Sequence, residues 1–129
     1  MPREIPNRQV IDRFIREEID SVPHLEALLL FWRQQPREWT CEEMSRSLYV
    51  SVDVARNVLN SLVHRGLLAE SAAGAERYSL VVDSEERQLL LEGLEATYRN
   101  DLVRVSNMVH ANSSPGLRDF ARAFRFKKD

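Results

Sequence analysis

The sequence predicts a mainly helical α+β fold, several amphipathic helices carrying one small β-hairpin. Three observations carry that reading. Two capped helical segments stand close together at residues 40–48 and 51–65. Alternating apolar residues follow at 67–82, on either side of a loop of small residues. Longer stretches on both flanks repeat apolar residues at helical spacing. At 129 residues the chain is long enough for one domain with a real core, and 43% apolar with 8% aromatic residues is ordinary for a globular protein.

Residues 1–7 contain Pro2 and Pro6, show no periodicity and should be loose. Asn7 can cap a helix that runs to about Asp20, with Val10, Ile11, Phe14, Ile15 and Ile19 as its apolar stripe. A lone helix of this length is marginal in water, so the stripe needs a partner: its own domain or a second copy. Ser21-Val22-Pro23 opens the next helix, since proline is tolerated in a first turn. Leu25, Leu28, Leu29 and Trp32 form its core face, and Gln35-Pro36 ends it. Trp39 lies where a short first strand would stand, and reads as a core anchor beside the following cap.

Thr40 and Glu43 make a capping box, Thr-x-x-Glu, at the start of the next helix. Met44 and Leu48 share a face, and the small Ser45 between them lets another helix cross closely. After the tight Tyr49-Val50 connection, Ser51 can cap a second helix, with Asp53 in its first turn favoured by the helix dipole. Ala55, Val58, Leu59 and Leu62 form the buried stripe, and Gly66 stops the helix. Residues 67–70 and 77–82 then pair as strands around a tip at 71–76, with Tyr78, Leu80 and Val82 alternating. Two short helices followed by a hairpin are the parts of a winged helix-turn-helix.

Asp83 with Glu86 is a second capping-box pattern, opening the longest helical stretch. Leu91, Leu94, Tyr98, Leu102, Val105 and Val109 follow at spacings of 3, 4, 4, 3 and 4, a coiled-coil-like seam. One unbroken helix of roughly 27 residues would be about 40 Å long at 1.5 Å per residue, more than a small winged core covers. The seam is therefore assigned to homodimerisation. Residues 112–116 break the pattern, and 117–126 should form a last short helix with Leu117, Phe120, Ala121 and Phe124 on one face. Its basic residues, Arg118, Arg122, Arg125, Lys127 and Lys128, suit a solvated rim. The organisation expected is an N-terminal helical extension at 1–20, a winged helix-turn-helix at 21–82 and a C-terminal helical region at 83–129.

The run Leu48-x-Val50-Ser51, then Ala55-x-x-Val58-Leu59-x-x-Leu62-x-x-x-Gly66-Leu67, resembles the winged-helix bacterial transcription regulators, the MarR-like group in particular. The resemblance covers about 40 residues and departs at Tyr49, where the turn residue is often glycine. It implies double-stranded DNA as partner, with helix 51–65 in the major groove and the wing at 67–82 on the flanking backbone. Given the buried stripe, the face left to DNA consists of Ser51, Val52, Asp53, Arg56, Asn57, Asn60, Ser61 and His64. Arg can pair with guanine and Asn with adenine, so Arg56, Asn57 and Asn60 are the candidate base readers. Arg37, Arg46, Arg65 and Arg77 are candidate phosphate contacts. A DNA surface requires Arg56 and Arg77 on one face, with Glu42 and Glu43 turned away.

Other classes of function find little support. The net charge is −2, so no global cationic field draws the chain to nucleic acid, and between residues 37 and 77 five arginines meet six acids. A winged-helix adaptor that binds protein instead of DNA therefore stays open as the alternative, as does an effector or protein partner of unspecified kind. One cysteine excludes an internal disulfide and fits a reducing cytoplasm. Cys41 lies in a first turn, where the dipole lowers a thiol pKa, but Glu42 and Glu43 oppose a thiolate, so it reads as a small buried hydrophobe. His24, His64 and His110 lack metal-ligand spacing, and no phosphate loop or nucleophile elbow is present, so neither cofactor nor enzymatic activity is expected. The longest apolar run, residues 27–32, is too short to span a bilayer.

Overall fold

The computed structural model describes residues 7–71 and 76–112. The loose start at 1–6, the wing tip at 72–75 and the last helix at 117–126 lie outside the described residues. Nine elements follow in the order α1 Arg8–Glu18, α2 Val22–Arg33, β1 Trp39–Thr40, α3 Cys41–Leu48, α4 Val52–His64, β2 Leu68–Glu70, β3 Arg77–Leu80, α5 Glu85–Asn100 and α6 Leu102–Asn112.

Local chemistry places most of the helix starts. Asn7 Oδ1 accepts from the Val10 amide at 3.1 Å and caps α1. Ser21 caps α2 through the His24 amide. At α3 both halves of the capping box form: the Glu43 amide donates to Thr40 Oγ1 at 3.1 Å, and the Thr40 amide donates to Glu43 Oε1 at 2.9 Å. Ser51 Oγ accepts from the Val54 amide at 3.1 Å and caps α4. The cap of α5 is a correction. Ser84, not Asp83, accepts from the Arg87 amide at 3.0 Å, and serine is as good an N-cap as aspartate.

The three strands form an antiparallel sheet in the order β1-β3-β2, with Trp39 opposite Tyr78 and Leu68 opposite Leu80. The strands are shorter than the alternation suggested, although the Val81 amide still donates to the Leu67 carbonyl at 3.0 Å. Gly66 takes φ +78°, the left-handed turn that stops α4 and starts the hairpin.

One core runs through the molecule. Ile11, Phe14 and Ile15 of α1 share it with Leu25, Leu28 and Phe31 of α2, Met44 of α3, Leu59 and Leu62 of α4, and Leu91 and Leu94 of α5. Phe31 takes the inner position expected of Trp32, which is half-buried. Ser45 is buried, its hydroxyl donating to the Glu42 carbonyl at 2.8 Å, so the close crossing of α3 and α4 leaves no unmet hydroxyl.

The single long C-terminal helix gives way to two. Asp101, at φ −132° and ψ 46°, ends α5, and its carbonyl accepts from the Val105 amide at 2.9 Å to begin α6. Asn100-Asp101 is a pair that prefers caps to helix interiors, which explains the break. The break turns Val105 and Val109 onto the same core as Leu91 and Leu94, and all four are completely covered within one chain. Tyr98 is half-buried and Leu102 lies 51% exposed. The seam assigned to dimerisation is thus mostly intrachain core. Among the described residues of α1 and α6, Val10, Leu102 and Val103, the last at 73% exposure, are the large apolar side chains left outside.

Arginine pairs tie the outer helices down. Arg33 of α2 donates from Nε to both carboxylate oxygens of the buried Glu95 of α5 at 2.9 Å, and Arg99 adds a third bond at 3.0 Å. Arg104 of α6 reaches Asp12 of α1 at 2.9 Å. No described helix is long and apolar enough to cross a membrane.

Candidate nucleic-acid interface

The turn between α3 and α4 is made without glycine. Tyr49 adopts the left-handed conformation, φ 58° and ψ 44°, and its amide donates to the Ser45 carbonyl. Its side chain is 94% exposed, and the left-handed backbone there is one that glycine takes more readily than tyrosine.

With Ala55, Val58, Leu59 and Leu62 buried, the outward face of α4 carries Asp53, Asn57, Asn60 and His64, with Ser51 exposed at the cap. Arg56 is half-buried on the flank towards α3, and its Nη1 meets Asp53 Oδ1 at 3.3 Å. Val52 is not on this face; it packs partly buried against the core, because its place at the start of α4 faces the turn. Ser61 faces the opposite flank and donates to Asp20 Oδ2 at 3.4 Å. Val54 was not among the expected residues, yet it is exposed at the N-terminal end of α4. Four residues before buried Val58, it stands only about 40° from the stripe in helical projection, so the period alone gives no signal for its exposure.

The four arginines proposed for phosphate separate into two pairs. Arg65 is committed to packing: it donates to the Glu17 carbonyl at 2.7 Å, to Asp20 at 2.9 Å and to Glu18 at 3.4 Å, clamping the end of α4 to the α1–α2 junction. Arg37 lies 3.7 Å over the Trp39 ring and also bonds Gln34. Arg46 and Arg77 are exposed and make no ion pair among the described residues. Alternation in β3 turns Tyr78 inward and Arg77 outward.

Glu43 is occupied by the capping box and by Arg37 at 3.5 Å. The hydrogen bond from the Thr40 amide, burial notwithstanding, holds its carboxyl below the usual range. Glu42, by contrast, is exposed, and its charge, with those of Arg56 and Glu76, reaches Cys41.

Behind the face lies a polar chain. The Tyr78 hydroxyl donates to Asn60 Oδ1 at 3.0 Å, and Cys41 Sγ stands 4.0 Å from the same hydroxyl. Burial pushes the Cys41 thiol up, against the dipole at its helix start, and pushes Tyr78 up to about 12. Among the described residues no three His, Cys, Asp or Glu side chains gather as a metal site.

No family model and no curated protein sequence matches the chain. Solved structures do. MepR, a transcription regulator of the Staphylococcus aureus multidrug efflux pump MepA, superposes with a TM-score of 0.52 at 13% identity, over 93% of this chain and 85% of that one. A MarR family protein from Bacillus stearothermophilus superposes with a TM-score of 0.52 at 19% identity, over 93% of this chain and 81% of that one. The fold is that of the MarR-type winged helix. The similarity extends beyond the 40-residue motif to α1, α5 and α6, which the motif alone does not reach.

Proposed function

We propose that the chain is a DNA-binding transcription regulator that places α4 in the major groove and the wing on the flanking backbone. The observation that carries this is the exposed stripe Asp53, Asn57, Asn60 and His64, flanked by Arg56 and standing beside the hairpin that holds Arg77. Arg56 carries the donors to pair with guanine, and Val54 the methyl groups to meet thymine. Arg46 and Arg77 are the phosphate contacts, being the exposed arginines of the motif without an ion pair among the described residues. The protein works as a homodimer in the cytoplasm. The exposed apolar side chains Val10 of α1 and Leu102 and Val103 of α6 are the candidate contacts with the second copy. Chromatin immunoprecipitation from the native host tests the reading: discrete enriched DNA sites support it, and uniform background removes it.

The pairing of Arg56 with Asp53 at 3.3 Å, and the exposure of Glu42 and Glu76, favour a second reading, an adaptor for a basic protein surface. Crosslinking in the same host separates the two by whether DNA or protein is recovered.

A further inference from the structure

Asn60 stands on the exposed face of α4, yet its carboxamide is not free to turn. The Tyr78 hydroxyl, on a side chain almost wholly buried beneath the wing, lies 3.0 Å from Asn60 Oδ1. A phenol has one proton to donate, and the orientation of the amide follows from where that proton goes. Cys41 Sγ, at 4.0 Å, can donate weakly to the phenol oxygen and leave the phenol proton for Asn60. The reversed amide would offer the buried phenol two donors and leave only the weak acceptor Cys41 Sγ, 4.0 Å away, for its own proton, a poorer set of bonds for a buried group. With its pKa near 12, Tyr78 keeps that proton under all ordinary conditions.

We propose that Tyr78 is a positioning residue that sets the base preference of Asn60. It holds the amide oxygen towards β3 and turns the NH2 group outward. The role presupposes that α4 enters the major groove, as proposed above. An asparagine reads adenine by presenting oxygen and nitrogen together to N6 and N7. With its oxygen turned towards β3 and one of that oxygen's two lone pairs taken by Tyr78, Asn60 leads with its NH2 donors, and the matching edge is guanine, whose O6 and N7 both accept. The residue on the wing strand thus acts on sequence recognition without touching a base.

The test uses DNA fragments recovered from the host, with each of the four bases placed in turn at the position to which Asn60→Ala is sensitive. Wild type should prefer guanine there by about tenfold, and Tyr78→Phe should reduce the preference to about threefold or less while leaving other positions within about twofold. The double variant should behave as Asn60→Ala alone, because Tyr78 acts through that side chain. A uniform loss of affinity on every sequence, additive effects in the double variant, or an adenine preference that Tyr78→Phe leaves unchanged would each overturn the proposal. A second measurement needs no DNA. The Asn60 side-chain NH2 resonances should be rigid in wild type and become mobile, like those of exposed Asn57, in Tyr78→Phe. A rigid Asn60 with no specific DNA site removes the regulator reading and the base-setting role with it. A mobile Asn60 in a wild-type protein that does bind specific DNA overturns the tether alone.

Discussion

Heptad spacing treats Leu94 and Leu102 as equivalents, and the structure separates them. Leu94 is fully covered by its own chain, while Leu102 follows the break at Asp101 and lies 51% exposed. Leu94→Ala should leave a cavity and cost about 2–5 kcal/mol, a large part of the roughly 5–15 kcal/mol that holds a domain of this size. Leu102→Ala removes a side chain already half in water and should cost no more than about 1 kcal/mol. In urea, at a slope of about 1–3 kcal/mol/M, the first change moves the midpoint by about 1 M or more and the second by a few tenths. Circular dichroism during denaturation measures both, at several protein concentrations so that any dimer contribution is visible. Light scattering on Leu102→Asp completes the comparison: the proposed dimer predicts twice the chain mass for wild type and a folded monomer for the variant. Equal midpoint shifts for Leu94→Ala and Leu102→Ala would refute the packing described for α5 and α6.

Three further outcomes are expected. Arg65→Ala removes the clamp between α4 and the α1–α2 junction and strands two carboxylates in partly exposed positions, so thermal denaturation should show a loss of about 1–3 kcal/mol. Burial, more than the opposing pull of Asp20, depresses the His24 pKa below 6.5; the unfolded chain then binds the extra proton first, so stability should be full above pH 6.5 and decline as pH falls through the lower folded value. A His24→Gln variant should show a flatter profile over that range in thermal melts. Cys41 is buried with its thiol pushed up, so native protein should react with a thiol reagent far more slowly than unfolded protein, and peroxide should not change DNA affinity; fast labelling of the native state would show an open site.

Much of the fold is legible in the residues because its signals are local. Thr40 with Glu43, Ser51, Asn7 and Gly66 act within one turn of themselves, and each appears where its chemistry requires. Asp101 is harder to read. The heptad run passes straight through it, and the burial of Val105 and Val109 in the core adds to the cap preference of Asn100-Asp101 in offsetting the lost hydrogen bonds. Ser84 displaced Asp83 as cap because neighbouring residues of similar capping strength leave the start undetermined to within one position. The exposed stripe of α4 follows from helical period alone, and Asp53, Asn57, Asn60 and His64 lie on it. What escapes the period is what each polar side chain touches. The commitment of Arg65 to Glu17, Glu18 and Asp20, and of Asn60 to Tyr78, depends on contacts across many residues of chain that no spacing rule carries.

The central claim is that α4 reads bases while the wing holds phosphate, and a paired titration tests it most directly. Fluorescence anisotropy with a host-derived site and with random DNA, over several salt concentrations, would compare Arg56→Ala with Arg77→Ala. Arg56→Ala should cost about 1–3 kcal/mol on the specific site and much less on random DNA. Arg77→Ala should weaken both DNAs alike and reduce the log–log salt slope by about 1. Indistinguishable effects of the two substitutions on specific and random DNA, or wild-type binding no tighter to the host site than to random DNA, would contradict the claim.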